Sequence, residues 1–299
     1  MPNGEARVSS ERTPRVIPPP NQLVELGPLV VVEGDCAYFR DGRKSCTAFS
    51  LPGHLSGGEY QRAMNVGMRR SGTVVYRPLC DGCRKCQPLR IPVDAFTLSR
   101  SQKRIKKKNE GKYHIEVTRP VLDDERLDLY GRYQQAQHGP HAQSADEKSY
   151  RRFLIETVTD TIELDWRDDD GKLIGVGILD VTPNALSSVY FYWDPELRKA
   201  SLGTYSALKE LELCEEWGKD FYYLGYLVPG SKTMSYKADF PGAEVWDGEQ
   251  WLPLGGRGCD DEKVLKVLND AEQESFAHDE KRFNLQRARV LDVPEAFDD

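Results

Sequence analysis

SSVYFYWDPELRKASLGTYSALKELELCEEWGKDFYYLGYLV, residues 187–228, contains two apolar runs on either side of a longer segment with helical periodicity. The run at residues 187–193 predicts a buried strand, which a proline-containing turn ends. Residues 204–217 predict a helix, and residues 221–228 predict the next strand. The apolar face of the helix consists of Ala207, Leu208, Leu211, Cys214 and Trp217. This segment therefore predicts strand, turn, helix and strand in that order.

The residues before this segment predict more strands. Residues 161–166 and 173–181 each have a strand pattern, and the turn at residues 168–171 joins them as a hairpin. Further upstream, residues 113–117 predict a strand and residues 123–137 a helix. Strands followed by a loop, a helix and a further strand resemble the core of GNAT acyltransferases. We therefore expect an α/β (α+β) fold that is GNAT-like in the C-terminal part.

The loop before the long helix departs from the GNAT pattern at one position. In acetyltransferases of that fold the loop reads Arg/Gln-x-x-Gly-x-Gly/Ala, and its amides bind the pyrophosphate of coenzyme A. Here the loop runs from Arg198 to Gly203, and Ser201 stands at the first glycine. A glycine there lets the backbone approach a phosphate closely. The serine at this position therefore argues against binding of coenzyme A, and it does not change the expected fold.

The N-terminal half has a different pattern of elements. Residues 23–33 end in a strand-like run, residues 59–69 predict a helix, residues 73–77 a short strand, and residues 89–96 extended structure. The domain boundaries that we expect are a disordered leader at 1–20, a cysteine-containing N-terminal domain at 21–112, a GNAT-like transferase domain at 113–254 and a charged C-terminal extension at 255–299.

The charge of the chain is unevenly distributed. The formal net charge of the 299 residues is -7, which argues against general nucleic-acid binding. Between residues 62 and 119, however, there are 15 Lys and Arg residues and only four Asp and Glu residues. One segment can therefore present a positive surface to a polyanion while the whole molecule stays acidic.

Three of the seven cysteines lie at a two-residue spacing in Cys80-Asp-Gly-Cys83-Arg-Lys-Cys86. This spacing lets thiolates converge on one metal ion, with Cys36 as the preferred fourth ligand and Cys46 as the second choice. Zinc and an iron–sulfur cluster both suit four thiolates, and free thiols are the third alternative. Such close cysteines do not form an ordinary disulfide framework, so we expect a reducing, cytoplasmic location.

A membrane or secretory role is not expected. No apolar run of signal-peptide length follows Met1, and no segment approaches the roughly 18 apolar residues that a membrane span needs.

A dense run of cations follows the cysteines at residues 100–109. Such a run can neutralise several phosphates, although a solvated helix face is the commoner role of charge runs in general. Because further cations precede this run, we expect it to contact RNA. The predicted RNA-contacting residues are Arg100, Lys103, Arg104, Lys106, Lys107 and Lys108.

Taken together, the sequence resembles the aminoacyl-tRNA-protein transferases of the N-degron pathway, most of all the bacterial aspartate/glutamate leucyltransferases. The resemblance covers roughly residues 30–251. The segments that carry it are Cys36-Ala-Tyr, Gly67-Met-Arg-Arg-Ser-Gly72, Tyr76-Arg-Pro, the three spaced cysteines, Ser99-Arg-Ser-Gln-Lys-Arg104, Val189-Tyr-Phe-Tyr-Trp-Asp-Pro195, Ser201-Leu-Gly-Thr204, Leu224-Gly-Tyr226 and Lys232-x-Met234-x-Tyr236-Lys237.

The resemblance implies a reaction and its substrates. Leucine, with arginine as the alternative, passes from its charged tRNA to the α-amino group of a protein that begins with Asp or Glu, and the product is marked for degradation. No cofactor beyond aminoacyl-tRNA is implied, and a structural zinc or iron–sulfur cluster is compatible with the cysteines. Two other hypotheses for the function are a coenzyme A-dependent GNAT acetyltransferase and a non-enzymatic metal-knuckle protein that binds RNA.

Candidate site residues follow from this reaction. The aminoacyl ester is already activated, so the enzyme has to position two substrates, stabilise an oxyanion and accept a proton. We expect Tyr192, Asp194 and Tyr236 to line the acyl site, with Asp194 as the proton acceptor. The expected substrate-binding residues are Arg70, Ser71, Tyr76, Lys232, Met234 and Lys237, of which the three cations are candidates for the acidic side chain of the acceptor.

Overall fold

The chain forms two β-sheets, and the smaller one lies in the N-terminal half. In the computed structural model, residues 15–17, 26–139, 142, 144–248 and 250–254 are described. The first sheet has the order β1-β2-β3-β5-β4, and all its neighbouring strands are antiparallel. Its strands are β1 (Arg15–Ile17), β2 (Leu29–Asp35), β3 (Lys44–Ser50), β4 (Arg69–Ser71) and β5 (Val74–Pro78).

The second sheet has eight strands in the order β13-β12-β6-β11-β10-β9-β8-β7. Among the described strands of this sheet only β10 and β11 are parallel, and the helix between them makes the crossover. The strands are β6 (Gln87–Pro92), β7 (His114–Thr118), β8 (Thr161–Arg167), β9 (Leu173–Val181), β10 (Ala185–Trp193), β11 (Phe221–Leu227), β12 (Glu244–Trp246) and β13 (Trp251–Pro253).

Helices cover both faces of the second sheet. The α-helices of the described residues are α1 (Gly57–Asn65), α2 (Arg100–Asn109), α3 (Asp124–His138), α4 (Glu147–Tyr150) and α5 (Leu202–Glu216), of which α3 and α5 pack on the sheet. Ser56 and Ser99 begin α1 and α2 with capping boxes, in which each serine bonds to a backbone amide three residues later. On one face α5 packs against β10 and β11 and carries α2 on its outer side, and on the other face α3 packs against β9 and β10. None of the helices in the described part of the chain is long and apolar enough to cross a membrane.

The mixed α/β fold and the predicted order of elements in the C-terminal part are confirmed. The predicted strand, loop, helix and strand correspond to β10, the 3₁₀ segment Pro195–Ala200, α5 and β11. The domain boundary predicted at residue 112 stays a prediction, and before that residue β6 already pairs with β11 and α2 packs on α5. In the structure the first sheet therefore ends at β5, and the residues from β6 onward join the second sheet.

Two other predicted segments are covered only partly or not at all. Of the predicted leader at 1–20 the structure describes only β1, which is paired with β2. The predicted extension at 255–299 lies outside the described residues.

A buried ion pair joins the two sheets. Arg70 on β4 donates to both carboxylate oxygens of Asp180 on β9, with Nη2 2.6 Å from Oδ1, and both side chains are fully buried. Thr161 on β8 donates to the same carboxylate over 2.9 Å. A buried charge that loses its partner is expensive, so this pair holds the first sheet in a fixed position on the second.

We expect Arg70→Met to lower the free energy of unfolding by about 3–5 kcal/mol, because it leaves the Asp180 carboxylate buried without its cation. Denaturant unfolding measures the difference. The matched control is Lys44→Met, which removes an exposed pair with Asp35 and should cost about 0–1 kcal/mol. Equal losses for the two variants would contradict the role of the buried pair.

Candidate active site

A cleft of about 1130 Å³ opens between the two sheets where β10 and β11 separate. These strands pair only between residues 185–187 and 221–223, and each has an irregularity just beyond that point, at Val189 and Leu224. The gap between the strands is the centre of the cleft. Residues 37–40, β4, α3, the start of α5 and residues 230–237 complete its walls.

The walls are aromatic on one side. Tyr133 on α3 packs against Trp193 with 4.7 Å between ring centroids, and Phe153 packs against Tyr190 at 5.1 Å. Gln134 donates to the Tyr190 hydroxyl over 2.8 Å, which fixes that ring on the cleft wall. This side of the cleft can therefore accept an apolar side chain or a nucleobase.

The charges that line the cleft are mostly positive. Among the described residues, the lining side chains with a permanent or titratable positive charge are Arg40, Arg69, Arg70, Arg198, Lys232, Lys237 and His138. The only carboxyl group among them is that of Glu210. A concave surface with this balance attracts phosphates and carboxylates.

Glu210 lies at the floor of the cleft on the buried face of α5. Its carboxyl oxygens accept hydrogen bonds from the Ser206 hydroxyl over 2.5 Å and the Tyr222 hydroxyl over 2.6 Å. Burial raises the pKa of Glu210, and these hydrogen bonds lower it only in part. Glu210 was not among the predicted site residues, although its position three residues after Ala207 and four before Cys214 places it on the predicted apolar face of the helix.

Lys237 is buried in the cleft wall within the 3₁₀ segment Ser235–Asp239. Only 7% of the residue is exposed. Burial, and secondly the charge of Arg69, lower the pKa of Lys237 to about 7. Tyr236, from the same segment, is also held in the cleft, where burial raises its pKa.

Several predicted substrate-binding residues do meet in the cleft. Ser71, Tyr76, Lys232, Met234 and Lys237 all line it, as does the predicted acyl-site residue Tyr236. Lys232 is exposed in the loop after β11, and no hydrogen bond or ion pair holds it within the described structure.

Arg70 differs from this expectation. It lines the cleft, but its guanidinium is paired with the Asp180 carboxylate, so it is not free to bind an anionic substrate. Its neighbour Arg69 points to the other side of β4 and donates from Nη2 to the Ser188 carbonyl of β10 over 2.6 Å.

Asp194 and Tyr192, the other two predicted acyl-site residues, lie outside the cleft lining. Asp194 lies outside the cleft lining and accepts from Lys172 over 2.9 Å, from Arg132 over 3.1 Å and from the Glu196 amide. Burial would raise the pKa of Asp194, but these bonds outweigh burial and hold it below the usual value. It caps the 3₁₀ segment and is poorly suited to accept a proton. Tyr192 is fully buried away from the cleft, with its hydroxyl 2.7 Å from that of Tyr150.

The start of α5 faces the cleft. Ser201 has φ 57° and ψ 43°, the left-handed conformation that glycine adopts without strain, and it is the only non-glycine residue with positive φ in the described chain. Ser201, Leu202, Gly203 and Thr204 line the cleft beside Arg198. The serine therefore adopts the backbone shape expected of the glycine that it replaces.

The predicted RNA-contacting residues form α2, which packs on α5 and lies beside the 3₁₀ segment Pro195–Ala200, whose Arg198 lines the cleft. Four of its cations are exposed without a partner among the described residues, and they are Arg100, Lys103, Arg104 and Lys107. Lys106 instead pairs with Glu212 over 2.6 Å and Lys108 donates to the Lys199 carbonyl over 2.5 Å. The basic surface of α2 therefore has four unpaired cations, compared with the six predicted RNA-contacting residues.

The cysteines predicted as metal ligands share one pocket of about 200 Å³, whose lining includes Cys36, Cys80, Cys83 and Cys86. Burial first, and then the neighbouring cysteines, raise the pKa of Cys86 to about 12. No group of three or more His, Cys, Asp or Glu side chains in the described ranges has a geometry that would hold a metal ion. The four thiols are thus gathered together but not arranged as a closed coordination site, and metal binding stays a prediction.

Two family models match this chain, one in each half. Residues 34–104 match the N terminus of the arginine-tRNA-protein transferases, and residues 125–247 match the C terminus of the same proteins.

Curated relatives are similar over most of their length. The aspartate/glutamate leucyltransferase of Alkalilimnicola ehrlichii is 38% identical over 238 residues, which are 78% of this chain and 98% of the relative. The protein of that name from Saccharophagus degradans is 34% identical over 234 residues, covering 77% and 98%. That of Halorhodospira halophila is 37% identical over 221 residues, covering 73% and 92%.

Solved structures show weaker likeness. L-PGS from Bacillus licheniformis aligns with a TM-score of 0.39 at 11% identity, covering 73% of this chain and 75% of that one. FemX aligns with a TM-score of 0.38 at 9% identity, covering 69% and 82%.

Proposed function

This chain belongs to the aspartate/glutamate leucyltransferase family, and we propose that its cleft transfers leucine from Leu-tRNA to the α-amino group of proteins that begin with Asp or Glu. The charge of the cleft supports this proposal most directly, because its described lining has several cations and a single carboxyl group, and the exposed basic helix α2 packs beside the 3₁₀ segment that carries Arg198. Both substrates are anionic, one through its phosphates and the other through its first side chain. A cationic cleft concentrates both.

The donor lies along α2 and enters the cleft at Arg198. The exposed cations of α2 contact phosphates of the acceptor stem, and Arg198 with the first amides of α5 holds the terminal phosphate. The aromatic wall around Tyr190 and Trp193 then receives the leucyl side chain and the terminal base.

The acceptor enters from the side of Lys232. This lysine and Arg40 are exposed cations on facing loops of the cleft, and they bind the Asp or Glu side chain of the acceptor. Tyr76, Met234 and Ser71 also line the cleft and contact the peptide. The cations that we assign to the acceptor are thus Lys232 and Arg40, in place of the sequence-based choice of Arg70.

The chemistry needs positioning more than a strong nucleophile. The ester bond between leucine and the tRNA ribose is activated, and a neutral α-amine, with an ordinary pKa near 8, attacks its carbonyl directly. Arg69, fixed on Ser188 at the point where β10 and β11 separate, places a positive charge beside the centre of the cleft, where an oxyanion would develop.

The direct test is incubation of the protein with Leu-tRNA or Arg-tRNA that carries a labelled amino acid, and with peptides that begin with Asp, Glu or Ala. We expect labelled leucine on the Asp and Glu peptides, little on the Ala peptide, and no labelled arginine. Label from Arg-tRNA alone would make arginine the donor. No transfer of either label, together with retention of acetyl-coenzyme A, would favour the acetyltransferase alternative. Binding of tRNA without transfer would favour the non-enzymatic one.

Charge reversal of Lys103, Arg104 and Lys107 to Glu should raise the KM for Leu-tRNA about 10-fold or more, with a larger effect at low salt, because three phosphate contacts are lost. Steady-state kinetics at two salt concentrations measure this. The matched control is Lys106→Met on the same helix, whose ammonium is already paired with Glu212. A change confined to the KM of the acceptor peptide would contradict the assignment of α2 to tRNA.

The thiol cluster has a structural role in this proposal. The four cysteines bind zinc or an iron–sulfur cluster and stabilise the first sheet, in a cytoplasm that keeps the remaining thiols reduced. We expect Cys83→Ser to lose the bound metal by elemental analysis, and Cys214→Ser, distant from the cluster on α5, to keep it. Equal metal content in the wild type and both variants, including none, would reject the ligand assignment.

A further inference from the structure

Lys237 is an amine without a counter-ion inside the proposed reaction site. It is 93% buried, it lines the cleft, and no hydrogen bond or ion pair holds its ammonium group within the described ranges. A lysine buried for structural reasons is normally paired with a carboxylate. Because no carboxylate of the described residues pairs with Lys237, its amine is available to a bound substrate.

The surroundings of the amine are defined by β11 and β4. A Cβ atom placed on Gly225 would lie 3.2 Å from Lys237 Nζ and 4.0 Å from Arg69 Nη2. The amine therefore lies against the backbone of β11 at its irregularity, and Arg69 is close by. Gly225 has φ +85° and no side chain, which leaves room for both cations at this point. This is the region where β10 and β11 have separated and the cleft begins.

The charges around Lys237 favour its neutral form. Burial lowers the pKa of Lys237 most strongly, and the positive charge of Arg69 on β4 lowers it further. Asp239 on its own segment has a pKa raised by burial alone, so it is not paired with Lys237. The negative charge of Glu210 on α5 acts, after burial, to raise the pKa of Tyr236 and of Tyr222. Burial and Arg69 thus favour the neutral amine of Lys237, which lines the cleft and lies against the backbone of β11.

On the basis of the proposed leucyl transfer, we propose that Lys237 Nζ is the base that accepts the proton from the α-amino group of the acceptor. The acceptor nitrogen forms a bond to the leucyl carbonyl carbon, and the bond from that carbon to the ribose oxygen breaks. One proton leaves the nitrogen for Nζ and is then delivered to the departing ribose oxygen. Lysine returns to its neutral form, and the products are a peptide amide and a tRNA with a free hydroxyl.

The other groups near the site are less suited to this step. Asp194 is outside the cleft lining and bonded to two cations. Glu210 accepts from Ser206 and Tyr222, so both its carboxyl oxygens are already engaged. His138 also lines the cleft, at the end of α3, and burial with Arg40 lowers its pKa, which makes it the alternative base to test.

The experiment measures kcat and both KM values between pH 5.5 and 9 with labelled Leu-tRNA and an Asp-initiated peptide. The proteins are the wild type, Lys237→Met, Lys237→Arg and His138→Gln. For Lys237→Met we expect kcat to fall about 100-fold or more, with both KM values within about 3-fold, and the pH profile to keep only the fall below about pH 8 that protonation of the acceptor α-amine causes. Lys237→Arg should not restore kcat, because arginine stays protonated. His138→Gln should keep the wild-type pH profile.

Three results would overturn the proposal. Lys237→Arg could restore activity while Lys237→Met raises the KM of the peptide, in which case the residue is a charged anchor for the acidic side chain. His138→Gln could instead abolish the pH dependence. The wild-type kcat could also be independent of pH between 6 and 8, a measurement that needs no variant. Thermal unfolding and Leu-tRNA binding show that the variants are folded, and absence of leucyl transfer by the wild type would refute the proposed function separately.

Discussion

The ion pair between Arg70 and Asp180 determines where the site can form. It is fully buried, it crosses from β4 to β9, and it fixes the first sheet against the second. Since side chains alternate along a strand, anchoring Arg70 on one side of β4 directs Arg69 to the other, where it reaches the Ser188 carbonyl on β10. The cleft thus has one wall from each sheet, and its centre depends on a contact that neither sheet makes alone.

Within that cleft the charges have separate roles. Arg70 is neutralised and structural, Arg69 is bonded to a backbone carbonyl, and Lys232 and Arg40 remain exposed. Lys237 differs from these cations, because burial and the nearby charge of Arg69 lower its pKa and favour loss of its proton. One cationic surface can therefore bind anionic substrates and still supply a neutral amine for proton transfer. The GNAT-like sheet contributes the gap between β10 and β11, and the first sheet contributes the cations at its edge.

The sequence was informative about local elements and about the family. Periodicity located β8, β9, β10, α5 and β11 to within a few residues, because their apolar patterns are strong. It did not predict β12 and β13, each of three residues, nor that β6 joins the second sheet. Pairing of β6 with β11 joins residues more than 120 positions apart, and no local pattern reports such a contact.

The sequence was less informative about the state of each charged residue. Arg69, Arg70, Asp194 and Lys237 look alike as charged residues in a sequence, and only their neighbours separate a structural ion pair from a free group. Asp194 is held by Lys172 and Arg132, both distant in sequence, so its assignment as the proton acceptor had no local signal against it. Glu210 is the exception, since a carboxyl on the apolar face of α5 is visible in the sequence.

The central claim is that donor and acceptor meet in the cleft between the two sheets. A crystal structure of the protein with a short RNA hairpin that carries leucine in a stable amide link at its 3′ end tests it most directly. The account predicts the leucyl carbonyl beside Lys237 and Arg69, with the RNA stem along α2. A leucyl group bound outside the cleft, or an RNA stem on a face remote from α2, would contradict it.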